Sequence, residues 1–109
     1  MKSTIRPAAR EDILRQYRYY LIEQNVEKIA QRFLEAVEIA IHQLHNHPHI
    51  GSPRILSNPA LAGLRSWPVP GFPAIRIYYL VAGEELRVIR VLHGKRDIHP
   101  LLENEITEN

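Results

Sequence analysis

The stretch AIRIYYLVAGEELRVIRVLHGKRD, residues 74–97, decides how this chain folds. It holds two runs rich in β-branched and aromatic residues, AIRIYYLV (74–81) and ELRVIRVL (85–92), separated by Ala82-Gly83-Glu84. A short glycine-bearing link turns one strand back on the other, so the pair reads as a hairpin. Upstream, GLRSWPV (63–69) has the same character, with Gly71 at the next turn, which makes three strands in an antiparallel meander. Side chains alternate along a strand. In the central strand Ile75, Ile77, Tyr79 and Val81 therefore share one face, and Ala74, Arg76, Tyr78 and Leu80 the other. Only the first face is cleanly apolar. It is expected to be covered, and the Arg76 and Tyr78 face to stay partly open.

The cover comes from the first half of the chain. KSTIR (2–6) reads as a short N-terminal strand ending at Pro7. From Ala8 to about Gln24, the residues Ala9, Ile13, Tyr17, Tyr20 and Leu21 recur at the spacing of one helical face. Asn25 is the expected N-cap of a second helix running to about Asn46, with Ile29, Phe33, Ala36, Val37, Ala40 and Leu44 as its apolar stripe. So short a link makes the helices antiparallel, a hairpin with one shared apolar side. Residues 47–63 form a loop punctuated by Pro48, Gly51 and Pro53, and IHPLLENEI (98–106) a short last helix. The expected fold class is α+β: a single domain over residues 1–109 in the order β-α-α-β-β-β, its helical hairpin packed on one face of a small antiparallel sheet.

Composition bounds what such a domain does. A chain of 109 residues, 45% hydrophobic, builds one modest core. It has no cysteine, which excludes disulfides and thiolate chemistry and agrees with a reducing compartment, the cytoplasm being the expectation. No apolar run approaches the roughly 18 residues of a membrane helix, so no membrane partner is expected. The net charge of +2 is unevenly spread: residues 1–53 carry seven basic and six acidic side chains, 54–96 seven and two, and 97–109 none and four. The sheet half is thus locally basic, either a solvated surface or a face for an acidic partner.

With the element order in place, GLRSWPV, IRIYYLV and above all VLHGKRD (91–97) resemble the toxins of the ParE/RelE superfamily, specifically the ParE or plasmid-stabilisation branch. AREDI (9–13) and Pro48 with Gly51 are similar to the same family, whereas Phe72 stands where a tyrosine is common and ILSNPALA (55–62) departs from its pattern. The resemblance implies the toxin of a type II toxin–antitoxin system, with a cognate antitoxin that wraps it. ParE-like members inhibit DNA gyrase by stalling it on cleaved DNA, without catalysis. RelE-like relatives are ribosome-dependent endoribonucleases. The resemblance leaves open whether this chain touches nucleic acid directly or only through a gyrase–DNA complex.

The two fates need different chemistry. Metal-independent RNA cleavage needs a base, cations for the phosphorane charge and an acid for the leaving oxygen. His93 is the candidate base, with Arg65, Arg76 and Arg90 as cations, but the tyrosine on which the RelE-like pattern relies is missing, since every tyrosine lies at or before Tyr79. The expected role is therefore partner binding through Arg65, Arg76, Arg90, His93, Lys95 and Arg96. The plainer alternatives are a His93 that fixes its turn and strand arginines paired to Glu84, Glu85 or Asp97. His42, His45, His47 and His49 invite a metal reading, yet a proline-broken turn separates them and no cysteine completes a set, so neither metal nor cofactor is expected. Tyr17 and Tyr20 fit the buried helix stripe better than a base-stacking platform, and Trp67 either closes the core or meets the antitoxin. A plain nucleic-acid-binding module is disfavoured, because there is no helix-turn-helix signature and few strand aromatics.

Overall fold

The computed structural model describes residues 2–94 and 98–103. Its order is β1 (Lys2–Ile5), α1 (Pro7–Arg18), a π-helical turn (Tyr19–Glu23), α2 (Glu27–Asn46), β2 (Ser52–Pro53), a 3-10 turn (Pro59–Leu61), β3 (Arg65–Val69), β4 (Phe72–Ala82), β5 (Glu85–His93) and α3 (Ile98–Glu103). The strands form one sheet in the order β1-β5-β4-β3-β2. The expected meander is its centre, but the sheet is mixed: β1 runs parallel to β5, Lys2 opposite Glu85 and Ile5 opposite Val88. A parallel neighbour requires a crossover, and the helical hairpin supplies it.

Proline is tolerated at the start of a helix, where its missing N–H costs nothing, and Pro7 occupies that place in α1. The hairpin turns at Asn25, whose φ of 52° is left-handed. The expected N-cap role thus passes to Val26, which makes no side-chain cap. Asparagine suits the turn because it tolerates that backbone region better than most residues. Along α2 the expected stripe is buried at Phe33, Ala36, Val37, Ala40 and Leu44, with Ala30 buried in place of Ile29.

Ala9, Ile13, Phe33, Val37, Leu44, Ile75, Ile77 and Tyr79 belong to one core between helices and sheet, with Tyr17, Tyr20 and Trp67 packed at its margin. At one end of this core Tyr20, Phe33 and Phe72 make a triangle of rings 5.4 to 5.7 Å apart.

The expectation of a partly open second face is corrected. Tyr78, Leu80, Ile89 and Leu92 form a second core with Leu61 and Leu64 from the loop and Leu102 from α3, and Tyr78 is 0% exposed. The cover was hidden in the unfamiliar loop and the last helix, whose leucines have no strand-like alternation. Glu103 straps the two together: its carboxylate accepts from Ser57 N (3.0 Å), Ser57 Oγ (2.7 Å) and Asn58 N (2.8 Å). Asn58 Nδ2 in turn donates to the Glu103 carbonyl at 3.0 Å.

A bulge re-phases β5. Tyr78 pairs with Arg90 but Tyr79 with Val88, leaving Ile89 as an extra residue. Val88 and Val91, three apart, consequently both join the helix-side core, while Ile89 and Leu92 join the other.

Candidate partner-binding site

Arg90 sits at the bulge, and its guanidinium turns towards α1. There Nε donates to Asp12 Oδ2 at 2.7 Å and Nη2 to Oδ1 at 2.9 Å. The same carboxylate accepts from Val91 N (3.0 Å) and from Arg15 Nη1 (3.2 Å). The Asp12 side chain is 1% exposed and that of Arg90 15%. A buried charge needs this many donors to offset its desolvation. Arg90 is therefore an internal clamp that fixes the bulge to the helix. Sequence reasoning missed Asp12, although a signal existed: with Ala9 and Ile13 it lies on the buried helical arc, and an acid there calls for a buried partner.

Arg65 and Arg76 part company, because adjacent-strand register puts them on opposite faces. Arg65, opposite Tyr79, donates from Nη1 to the Gly51 carbonyl (2.8 Å) and the His49 carbonyl (3.1 Å). Tyr79 ties down the same loop: its hydroxyl donates to the Pro48 carbonyl (2.8 Å) and accepts from Gly51 N (2.9 Å). Burial pushes the Tyr79 phenol pKa up, opposed by the Gly51 hydrogen bond and the Arg65 charge. Gly51 is required by space, since a Cβ there would overlap the Tyr79 ring and hydroxyl.

Arg76 lies on the loop side. Its Nε donates to Ser66 Oγ at 3.1 Å and its Nη2 to the Ser66 carbonyl at 3.4 Å. Burial likewise raises the Tyr78 pKa, against the pull of the Arg54 and Arg76 charges.

His93 ends β5 opposite Ile75 and lines an open groove of about 710 Å³ with Arg15, Tyr19, Tyr20, Phe72 and Ile75. The groove is mainly apolar and aromatic, and none of Arg65, Arg76 and Arg90 lines it. A base and three cations around one phosphate are therefore not assembled among the described residues. Lys95 and Arg96 lie outside the described residues, as does Asp97. Of the sequence's histidines, His45 Nδ1 meets Ser3 Oγ at 2.9 Å and His42 Nε2 meets Asn46 Nδ2 at 3.3 Å. Among the described residues no group of three His, Cys, Asp or Glu side chains is placed to hold a metal ion, and no helix is long and apolar enough to cross a membrane.

The family model described as "ParE toxin of type II toxin-antitoxin system, parDE" matches residues 4–98. The chain belongs to the ParE toxin family. Among solved structures, a chain of the "Chromosomal ParDE TA system from P. aeruginosa" is similar at 16% sequence identity and a TM-score of 0.68, over 85% of this chain and 95% of that one. At that identity the likeness speaks for the fold. No curated protein matches. The match spans β1 to the start of α3, so the ParE toxin domain includes both the Asp12–Arg90 clamp and the strand end at His93.

Proposed function

We propose that this ParE-family protein is a non-catalytic inhibitor of DNA gyrase, acting in the cytoplasm and neutralised by a cognate antitoxin. The family match over residues 4–98 carries the reading. The scattering of the strand arginines supports it against RNA cleavage: Arg90 is held by Asp12, Arg65 by loop carbonyls, and Arg76 on the opposite face from the helices. Catalysis by general acid and base requires the groups within hydrogen-bond reach of one substrate. Partner contact falls to Arg76, to His93 at the groove, and to Lys95 and Arg96 beyond the strand. Arg65 and Arg90 serve it indirectly, by fixing the loop and the bulge.

The test is a supercoiling reaction with purified gyrase, relaxed plasmid and increasing amounts of the chain. Loss of supercoiling with build-up of cleaved DNA is expected. Undiminished supercoiling at molar excess, together with messenger cleavage on translating ribosomes that His93→Ala abolishes, would replace this reading with the endoribonuclease one.

A further inference from the structure

On the loop side, two guanidiniums converge on one hydroxyl. Ser66, 0% exposed, accepts from Arg54 Nε at 3.0 Å as well as from Arg76 Nε at 3.1 Å. The Arg54 guanidinium lies 5.9 Å from the centre of the Tyr78 ring, and the Tyr78 hydroxyl beneath is buried without a hydrogen-bond partner. Three other arginines meet carboxylates, Arg90 and Arg15 on Asp12 and Arg87 on Glu85, while Arg65 is held by loop carbonyls. No carboxylate among the described residues pairs with Arg54 or Arg76. Among the described residues the Arg54 side chain donates from Nε alone, and its two Nη groups are left without a hydrogen-bond partner and are not sealed from solvent. The Nη pair of Arg54 is a guanidinium fork that matches the two oxygens of a carboxylate, and Arg76, its Nε and Nη2 held by Ser66, adds a second positive charge that the same anion relieves.

The neighbour of the pair indicates which kind of anion. Ile55, next to Arg54, is 91% exposed, and with Leu56 it lines a shallow hollow shared with Arg54 and Arg65. A phosphodiester strand would satisfy the arginines and leave Ile55 in water, whereas an acidic peptide covers both.

We propose that Arg54 and Arg76 form a carboxylate-binding site for an aspartate or glutamate of a partner peptide whose adjacent apolar side chain covers Ile55. Taking that partner to be the antitoxin rests on the toxin reading above; the binding itself does not involve gyrase.

The experiment measures fluorescence anisotropy of a labelled twelve-residue peptide containing two Glu-Leu pairs, against the full chain. The same peptide with glutamine for glutamate and a labelled twelve-nucleotide oligo-dT are run beside it. The acidic peptide is expected to bind, its glutamine form to bind about tenfold more weakly or worse, and Arg54→Gln and Arg76→Gln each to weaken it about tenfold. Arg54→Lys, which keeps the charge and loses the fork, is expected to fall between. Ile55→Ser, at a fully exposed position that folding tolerates, is expected to weaken binding about threefold. No binding of the acidic peptide, or affinity unchanged in both glutamine variants, would overturn the proposal. So would oligo-dT binding more tightly than the peptide and depending on Arg54 and Arg76, which would make this a nucleic-acid site. Absent peptide binding with gyrase inhibition intact removes this site alone. Peptide binding without gyrase inhibition removes only the toxin mechanism.

Discussion

The two faces of the sheet are both covered, but they treat charge in opposite ways. On the helix side Arg90 is matched to a buried carboxylate with four donors, and α1 and α2 close over the result. On the loop side, where leucines, a 3-10 turn and a six-residue helix strapped by Glu103 cover the sheet, Arg54 and Arg76 share a serine hydroxyl. The first arrangement is complete within the chain and serves stability. The second leaves the Nη donors of Arg54 without a partner among the described residues, as the proposed carboxylate site requires.

The sharpest way to break the comparison is to remove the helix-side carboxylate. Asp12→Ala leaves Arg90 buried without its counter-charge and is expected to cost about 3–5 kcal/mol in urea unfolding. A loss below about 1 kcal/mol would mean that the clamp is ornamental. The paired change Asp12→Leu with Arg90→Met, which removes both charges, is expected to recover much of that loss. Next in size is the seam at the end of α2. Gly51→Ala forces Tyr79 aside and Tyr79→Phe leaves the Gly51 N–H and Pro48 carbonyl unmatched, each expected to cost about 1–3 kcal/mol in the same measurement. Glu103→Ala, on the loop side, unfastens α3 and is expected to cost about 1–2 kcal/mol, with faster amide exchange at residues 57–61. Tyr78→Phe removes a hydroxyl that has no partner and is expected to leave the melting midpoint nearly unchanged, within about 0.5 kcal/mol. A large loss there would show that the hydroxyl holds something.

Alkaline titration probes Tyr78 and Tyr79, whose phenols, like that of Tyr20, burial shifts upward. Burial raises both phenol pKa values above the usual 10.0, so the native chain holds these protons more tightly than the unfolded chain does. Their contribution to stability is therefore full below about pH 10 and declines as pH rises through the raised values. Thermal melts at pH 9 and pH 11 are expected to show that fall, reduced in Tyr79→Phe.

What could be read in advance followed from periodicity. The three central strands, the stripe Phe33, Ala36, Val37, Ala40 and Leu44, and the division of β4 into two faces all follow from spacings of 3.6 and 2. The bulge did not announce itself, because an extra residue at Ile89 changes phase without changing composition, and with it went the fate of Arg90. The loop-side cover was hidden for another reason: Leu61, Leu64 and Leu102 come from segments too short to have a period. Of the proposed contacts, Arg76 was legible as a cation within a strand. Arg54 was not, since nothing in SPRIL marks an arginine that folds back over a tyrosine.

The difference between the faces is tested most directly by removing one positive charge from each and measuring binding of the acidic peptide. Arg54 lies on the loop side and Arg32 is exposed on the outer surface of α2. Arg54→Gln is expected to weaken binding about tenfold and Arg32→Gln less than about twofold, at the same net charge. Equal losses from the two variants would mean that the peptide responds to overall charge, and that the loop side holds no site of its own.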